Sequence, residues 1–370
     1  MPFTQPSTRR AFLRRAGLGA VGLAVGGPAL LAACSKSAAP LHQVRVVNEP
    51  LAIDDNTPHL FEPATGVFLR YQEYTDPAAY LKGVSARLRA HRDIGADVVV
   101  VPDLQAAQMI GAGFVRPLPS PPPASSIVPA FANPRFDPGR RFSLPWSSTV
   151  VGFAYDERRV PDAFTSARAL FDPRLAGKVV LAADPAATLG LVMLASGEDP
   201  ATVTAAQAEA ALQRVRAAVD SGQIRSLATT SYTDDLVSGR AVLAIARSDE
   251  IRIARQASPT LRFVVPSEGG LLESTNMVVP VGADDVVDAG AFIDYMFSPD
   301  ANSRVASFAS TVTTVVGATS SLASIDPKAA LDRLVVPSPG VWSRLRVWGG
   351  SAATDAATAQ LAAFAAAHTA

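Results

Sequence analysis

The chain has 370 residues, 33 basic and 33 acidic side chains, a hydrophobic content of 48% and one cysteine. This composition excludes a disordered chain and an internal disulfide, and no cluster of cysteines and histidines suggests a zinc site. Four of the basic residues lie in residues 1–33, which contain no acidic residue, so the remaining chain is mildly acidic with 29 basic against 33 acidic groups. A nucleic-acid partner is therefore not expected, because such partners favour clustered positive charge.

The first 34 residues have the pattern of an export signal. Arg9 and Arg10 form a twin-arginine motif, and an uncharged stretch from Ala16 to Ala33 follows. The stretch ends on Leu31-Ala32-Ala33-Cys34, a lipobox in which the cysteine thiol accepts a diacylglycerol group. We therefore predict a twin-arginine lipoprotein signal peptide over 1–33, lipidation of Cys34, a tether over 34–41, and a location on the extracytoplasmic face of the cell membrane. An N-terminal membrane helix with an incidental cysteine is the alternative.

Downstream, strand and helix patterns alternate. The Val-rich run Asp97–Pro102 predicts a strand buried on both faces, as in a parallel sheet. Asp76-Pro77 predicts the start of a helix that runs to about Arg92. Further strands are predicted at 44–47, 68–71, 149–155, 178–181, 240–246, 261–266 and 277–280, and further helices at about 104–113, 205–219 and 285–297. The Ala-rich tail, 352–370, predicts a helix that packs against the body. The order predicts an open α/β sheet, whose ligands bind beyond the carboxyl ends of the strands.

Short motifs between Val44 and Gly317 occur in the order found in one family. They include Asn48-Glu49-Pro50, the run Asp97–Pro102 with Gly113-Phe114 after it, Pro145–Asp156, Leu170–Pro173, Pro266–Gly270 and Phe297–Asp300. The chain resembles the spermidine/putrescine-binding type of extracellular solute-binding protein, which serves ABC importers. Each motif by itself is short and unspecific. The resemblance rests on all of them occurring in the same order as in the family.

The resemblance implies a type 2 periplasmic-binding-protein-like α/β fold with two lobes, a hinge and a ligand cleft between the lobes. Lobe 1 would contain 42–146 plus 275–320, and lobe 2 would contain 147–274 plus 321–370. The partners that it implies are a small solute, an ABC permease and its ATPase. We expect a monomer without catalysis, cofactor or metal.

The resemblance also implies a set of ligand-binding positions, but the residues at them differ from the polyamine pattern. The family's aromatic box is largely replaced: Glu49, Ser148, Arg247 and Glu273 stand at tryptophan positions, and Trp146 at a tyrosine position. Asp184 keeps the first carboxylate of an acidic pair, whose second position is Ala187. The expected ligand-binding residues are Glu49, Asp103, Gln105, Trp146, Ser148, Asp184, Arg247, Glu273 and Thr275.

These departures leave acids that suit an amine and add an arginine that suits a carboxylate or phosphate. We expect Asp184 and Glu273 to bind an amine, Trp146 to stack on the ligand and Arg247 to select an anionic group. The ligand would be polyamine-like or a zwitterion resembling an amino acid or opine. Alternatives remain for single residues: Asp184 could cap the following helix, Trp146 could lie in the core, and Arg247 could pair with Asp249 or Glu250.

Two other functions are alternatives. A twin-arginine-exported enzyme is conceivable, but the sequence has no nucleophile elbow, dinucleotide fingerprint or P-loop, and no histidine has a catalytic pattern beside it. A ferric-ion-binding protein would need neighbouring tyrosines, whereas Tyr71, Tyr74 and Tyr80 are scattered.

Overall fold

One mixed sheet of 11 strands organises the residues that the computed structural model describes, which are 42–160, 162, 164–350 and 354–368. The predicted signal peptide, Cys34 and the tether lie outside these residues. The strands are β1 Gln43–Asn48, β2 Phe68–Glu73, β3 Val98–Pro102, β4 Val115–Arg116, β5 Ser143–Asp156, β6 Val179–Ala182, β7 Ile224–Ala228, β8 Leu243–Arg247, β9 Leu261–Val264, β10 Gly270–Pro280 and β11 Leu345–Val347.

The α-helices lie between these strands and after the last of them. They are α1 Asn56–Thr65, α2 Pro77–Arg89, α3 Asp103–Gly111, α4 Pro185–Ala195, α5 Ala205–Asp220, α6 Tyr232–Ser238, α7 Ser248–Ala254, α8 Val286–Met296, α9 Pro299–Ala309, α10 Ala318–Ile325, α11 Pro327–Leu331, α12 Pro339–Trp342 and α13 Asp355–His368. Short 3₁₀ turns occupy 124–126, 129–131, 167–171, 173–175 and 200–202.

The long strands β5 and β10 divide the sheet into two parallel halves. The order is β2-β1-β3-β10-β5-β8-β6-β7, with β4 and β11 on β10 and β9 on β5. β1, β2 and β3 are parallel to one another, as are β6, β7 and β8, whereas β5 and β10 are antiparallel. The carboxyl ends of each parallel set therefore collect side chains that follow different strands.

A β-bulge interrupts the ladder between β5 and β10. Thr275 is opposite Ser147, but Asn276 is opposite Pro145, so Trp146 is the extra residue. An extra residue bends a strand and increases its twist. The bulge lies where the first half of the sheet gives way to the second.

Each half of the sheet has its own hydrophobic core. The first core joins β1, β3, α8 and α9 through residues such as Val46, Val100 and Phe292. The second joins β6, β7, α4 and α5 through residues such as Leu181 and Leu212. Two cores on one continuous sheet are the packing expected of two lobes.

Most of the predicted elements are confirmed within a few residues. The buried run at 97–102 is β3, the helix opened by Asp76 and Pro77 is α2, and the Ala-rich tail contains α13. Asp76 caps α2 by accepting a hydrogen bond from the backbone N–H of Ala79. Among the described residues, no helix combines the length and apolar character needed to span a bilayer.

Candidate functional site

A cavity of about 210 Å³ lies at the carboxyl ends of β6, β7 and β8. Its walls are formed by residues at the ends of these strands, by residues of the segments that follow them, and by Val151 of β5 and Glu273 of β10. In open α/β sheets, ligands bind at this edge. The lining residues are Val151, Ala182, Ala183, Asp184, Ala187, Ala228, Thr229, Thr230, Tyr232, Ile245, Ala246, Arg247, Glu250 and Glu273.

The cavity wall combines small apolar side chains with a concentrated set of charges. Five of the lining residues are alanines, and Val151 and Ile245 are also apolar. The charged residues are the acids Asp184, Glu250 and Glu273 and the base Arg247. Carboxylates thus outnumber cations among the lining residues, so the wall favours a positively charged occupant.

Asp184 lies at the start of α4 and has two roles. Its side chain caps the helix, since Oδ1 accepts a hydrogen bond of 2.8 Å from the backbone N–H of Ala187. Pro185 follows at the first helical position, where its missing N–H costs nothing. Asp184 also lines the cavity. The capping role weighed from sequence is therefore present together with a place in the cavity wall.

Arg247 forms ion pairs with two carboxylates. Its Nε and Nη2 lie 3.3 and 3.4 Å from the Oδ1 and Oδ2 atoms of Asp249, and its Nη1 lies 3.8 Å from Glu273 Oε2. Burial lowers the pKa of Arg247, but Asp249 and Glu273 outweigh this effect and raise it well above its usual value. The arginine is a permanent cation, and 41% of its side chain is exposed.

Asp249 is held by more than the arginine. Its Oδ1 accepts a hydrogen bond of 2.7 Å from the hydroxyl of Thr149 on β5. Burial raises the pKa of Asp249, yet Arg247 and Thr149 outweigh burial and keep the pKa below its usual value. Asp249 is therefore ionised and orients the guanidinium of Arg247.

Glu273 is the least satisfied acid in the wall. It projects from β10 opposite Thr149, and 19% of its side chain is exposed. Its Oε1 atom has no hydrogen-bond partner among the described residues and no access to solvent. Burial raises the pKa of Glu273 well above its usual range, and the nearby charge of Asp184 raises it further, whereas Arg247 acts in the opposite sense.

Tyr232 and Glu250 form another part of the wall. The Tyr232 hydroxyl donates a hydrogen bond to Glu250 Oε2 and accepts one of 3.4 Å from the backbone N–H of Arg247. Burial raises the pKa of the Tyr232 phenol well above its usual value, and the charge of Glu250 adds to the rise. These bonds tie α6 to the start of α7.

Asp103 follows β3, at the carboxyl edge of the first half of the sheet. Its oxygens accept hydrogen bonds from the backbone N–H of Ser274 at 2.9 Å and from Nδ2 of Asn276 at 2.8 Å. The Oδ1 atom of Asn276 accepts a bond of 2.8 Å from buried Arg140, which places an amide between the acid and the base. Burial raises the pKa of Asp103 and lowers that of Arg140 to about 10. Asp103 does not line the cavity, but its charge contributes to the raised pKa of Glu273.

Of the predicted binding residues, Asp184, Arg247 and Glu273 line the cavity together. Glu49 ends up half-buried beside the end of β1, and its charge acts on Arg247. Gln105 is buried on α3 and is not a lining residue.

Two predicted residues instead belong to the ladder between β5 and β10. Ser148 donates a hydrogen bond of 2.9 Å to the carbonyl oxygen of Glu273, and the Thr275 hydroxyl lies 3.1 Å from that of Ser147. Both side chains are buried and partnered within the protein. They hold the backbone that carries Glu273.

Trp146 requires a correction. Its side chain is 2% exposed, belongs to the first core and stacks on Phe292 with ring centroids 6.1 Å apart. Its indole N–H donates a hydrogen bond of 3.3 Å to the carbonyl of Ala52. Trp146 is therefore a core residue, as in the alternative given above, and not a stacking residue. It offers no face on which a ligand could stack.

The wall also contains Tyr232, Glu250 and the hydroxyl residues Thr229 and Thr230, which are not among the residues predicted to bind ligand. For Glu250 the sequence does contain a signal: it is an acidic residue that follows the apolar run of β8 within one helical turn. Strand β7 was not predicted, so nothing indicated that the residues after it reach the same edge. No group of three or more acidic, histidine or cysteine side chains in the described ranges is arranged to hold a metal ion.

Comparison with known proteins identifies similar chains. The profile described as bacterial extracellular solute-binding protein matches residues 59–330. The spermidine/putrescine-binding periplasmic protein 1 of Haemophilus influenzae is 25% identical over 264 residues, which cover 70% of this chain and 69% of that protein. The spermidine/putrescine-binding periplasmic protein of Escherichia coli is 23% identical over 284 residues, which cover 75% of this chain and 78% of that protein.

A solved structure has the same arrangement of elements. The substrate-binding protein of a spermidine/putrescine ABC transporter from Streptococcus pneumoniae superposes with a TM-score of 0.72 at 20% identity, over 88% of this chain and 99% of that one. At this level of identity the likeness is one of fold, and it covers both halves of the sheet.

Proposed function

We propose that this chain captures a small amine-bearing solute for an ABC importer. The premise is that the chain belongs to the bacterial extracellular solute-binding proteins and has their two-lobed α/β fold. Its role is substrate binding without catalysis. The observation that carries the proposal is the cavity at the carboxyl ends of β6, β7 and β8, whose wall contains three carboxylates and one arginine.

The charge balance of the wall supports a cationic ligand. Arg247, the one base among the lining residues, is paired with Asp249 and lies 3.8 Å from Glu273, so the acids of the wall exceed its bases by two. An ammonium group supplies both the missing charge and the hydrogen-bond donors. The alanine-rich part of the wall suits a methylene chain, which needs no polar partner. Spermidine and putrescine, which the curated relatives are named for binding, have this chemistry.

A zwitterionic ligand is the second candidate, and the exposure of Arg247 supports it. With 41% of the side chain exposed and its ion pairs at 3.3–3.8 Å, the guanidinium retains an open face. A carboxylate of an amino-acid-like or opine-like ligand could bind this face while its amine contacts Asp184 and Glu273.

A thermal-shift screen of polyamines, amino acids and opines tests the proposal. A ligand at 100 times its dissociation constant stabilises the folded chain by about 2.7 kcal/mol. We expect an amine to raise the Tm of the wild type and the double variant Asp184→Asn, Glu273→Gln to lose most of this response. The proposed function is wrong if no amine in the screen shifts the Tm.

The substitution Arg247→Met separates the two ligand classes. It removes the open guanidinium face but keeps most of the side chain's length. Affinity for a zwitterion should fall at least tenfold, since an interaction with a charged group is lost. Affinity for a diamine should be unchanged or higher, because a repulsive cation is removed. Isothermal titration calorimetry on both proteins measures this difference.

We also propose that the chain is a lipoprotein on the extracytoplasmic face of the cell membrane, exported by the twin-arginine route and anchored through Cys34. A permease and its ATPase are the partners, and the chain acts as a monomer whose lobes comprise 42–146 plus 275–320 and 147–274 plus 321–370. The support is the sequence pattern Arg9-Arg10 followed by Leu31–Cys34. A diacylglyceryl group supplies two acyl chains, which are enough for stable anchoring.

Fractionation of cells tests the anchor. Cys34→Ala should move the protein from the membrane fraction to the soluble fraction, and Arg9→Lys with Arg10→Lys should retain an unprocessed precursor inside the cell. Cys34→Ala protein that stays in the membrane fraction would show that another segment anchors the chain.

A further inference from the structure

The Oε1 atom of Glu273 is an unsatisfied acceptor in the cavity wall. It has no hydrogen-bond partner among the described residues and is closed to solvent. The other oxygen, Oε2, has Arg247 Nη1 at 3.8 Å, which is an ion-pair distance but too long for a hydrogen bond. A buried ionised carboxylate needs donors, so this side chain is poorly suited to carry its charge while the cavity is unliganded.

The charges of Asp184, Arg247 and Asp103 act on Glu273. Arg247 is the only base among the lining residues, and Asp249 already binds it with two contacts. Asp184 shares the cavity wall with Glu273. The facing titratable and charged groups are Asp184 at the start of α4, Arg247, Asp249 and Glu250 around the start of α7, Tyr232 on α6, Asp103 on α3 and Glu49 after β1. The negative charge of Asp184 favours the protonated form of Glu273, because two like charges in one wall repel each other.

We infer that Glu273, which shares the cavity wall with Asp184, holds a proton in the unliganded protein and exchanges it for an N–H-bearing ammonium group when the solute binds. This inference rests on the proposed function and specifies its chemistry. The proton leaves the Glu273 carboxyl for a buffer base, and the ammonium N–H groups then donate hydrogen bonds to the two carboxylates. One positive charge leaves as one enters, so the net charge of the site does not change.

The cavity wall restricts which class of cation can bind. Only a cation with N–H donors satisfies Glu273 Oε1, and a quaternary ammonium has none. Binding of a quaternary ammonium depends on aromatic faces around the cation. The one aromatic residue that lines the cavity is Tyr232, and its hydroxyl is bonded to Glu250. The structure therefore assigns the site to primary or secondary aliphatic ammonium groups.

The exchange predicts a pH dependence with a definite sign. Protons compete with the ammonium for Glu273, so affinity rises with pH until the carboxyl is ionised without ligand. No histidine lines the cavity, so the dependence of affinity on pH between mildly acidic and neutral solution comes from the carboxyl of Glu273. The logarithm of the association constant should rise with a slope approaching one per pH unit, which is a tenfold gain in affinity per unit.

Isothermal titration calorimetry of the mature protein purified from membranes tests the exchange. The probes are putrescine, spermidine and the fully N-methylated, diquaternary analogue of putrescine. Titrations in two buffers with different ionisation enthalpies give the number of protons released. We expect close to one proton released per amine at the acidic end of the pH series, fewer as pH rises, and at least tenfold weaker binding of the quaternary analogue.

The variant Glu273→Gln removes the exchangeable proton while keeping the size of the side chain. Its amine binding should be weaker than that of the wild type, without proton release or a pH slope. Glu209→Gln is the matched control, because Glu209 lies on α5 outside the cavity, and it should retain both effects. The wild-type slope and proton count are independent of whether the variant folds.

The outcomes separate the inference from the proposed function. Amine binding without proton release and without a pH slope overturns the exchange and leaves the proposed function standing. Equal affinity for putrescine and its quaternary analogue also overturns it. Failure of both amines to bind overturns the exchange and the proposed amine ligand together.

Discussion

At the residue scale, Glu273 couples the stability of the protein to pH. Folding raises its pKa, first through burial and then through the charge of Asp184. A carboxyl of this kind stabilises the fold fully below its unfolded pKa of about 4.3, and this contribution is lost as pH rises through the folded pKa. The binding site is therefore assembled at the expense of stability at neutral and alkaline pH.

Glu273→Gln should stabilise the unliganded protein at alkaline pH. Glutamine resembles the protonated acid, so the variant keeps at pH 8 the stability that the wild type has only at low pH. We expect a Tm above that of the wild type at pH 8 and a difference that closes towards pH 4, measured by differential scanning calorimetry. A lower Tm of the variant at pH 8 would contradict the raised pKa.

Asp97 is the opposite case, a buried carboxylate whose charge is fully compensated by Arg45. Arg45 donates hydrogen bonds of 2.7–2.9 Å to Asp97, which is completely buried. Asp97 also accepts hydrogen bonds from the backbone N–H groups of Asp284 and Asp285. Burial raises the pKa of Asp97, but the bonds from Arg45 outweigh burial and keep the pKa below its usual range. This contribution to stability is present above the unfolded pKa and is lost as pH falls through the folded pKa.

Arg45→Met should destabilise the protein by about 3–5 kcal/mol at pH 7, because it leaves the Asp97 charge buried without its cation. Urea unfolding followed by circular dichroism measures the change. Arg174→Met is the control, since Arg174 pairs with Asp172 while its own side chain is 88% exposed. Such a surface pair contributes little, so the control should unfold like the wild type. An equal loss in both variants would contradict the role assigned to burial.

At the element scale, helix ends were predictable because their signals are local. Helix α5 begins at a capping box in which Thr204 accepts from the backbone N–H of Gln207 at 3.3 Å, and Gln207 accepts from that of Thr204 at 3.0 Å. The long strands were predicted only in part. The sequence indicated 149–155 and 277–280, whereas β5 begins at Ser143 and β10 at Gly270.

Where β5 and β10 face each other at and next to their unpredicted parts, several residues are polar yet buried. Ser147, Ser148 and Thr149 face Thr275, Ser274 and Glu273 across the ladder. The hydroxyls of the serines and of Thr275 are bonded to one another and to the carbonyl of Glu273, and the Thr149 hydroxyl donates to Asp249, which removes the usual cost of burying them. Hydrophobic periodicity cannot reveal a strand whose burial depends on partners supplied by another strand.

Thr204→Ala should destabilise the protein by about 1 kcal/mol through loss of the cap on α5. Thr204→Ser retains a hydroxyl that can accept the same hydrogen bond and should stay close to the wild type. Chemical denaturation of the three proteins at one pH provides the comparison. Equal losses in the alanine and serine variants would show that the methyl group, not the cap, matters.

At the scale of the whole molecule, the cavity uses only one of the two parallel edges. Its walls follow β6, β7 and β8, while Glu49 and Asp103 follow β1 and β3 on the other side of the β5 and β10 pair. The bulge at Trp146 lies between the two halves. We expect ligand binding to bring the two acidic edges together, because closure buries the ammonium groups between them.

Small-angle X-ray scattering should therefore show a smaller radius of gyration when spermidine is added to saturation. The double variant Asp184→Asn, Glu273→Gln, which should not bind the amine, is the control and should keep its unliganded radius. An unchanged radius in the wild type with bound amine would mean that the chain holds its ligand without a change in lobe positions.

The sequence by itself determined the alternation of strands and helices, the order of the family's motifs, and acids at the carboxyl ends of strands, since each is encoded within a few neighbouring residues. Only the tertiary structure decided that Trp146 is a core residue, that Arg247 pairs with Asp249 and Glu273, and that Tyr232 and Glu250 complete the wall. These contacts depend on β8 lying between β5 and β6, and on the register that sets Glu273 opposite Thr149. Strand neighbours and register arise from packing across the whole sheet, so no local pattern specifies them.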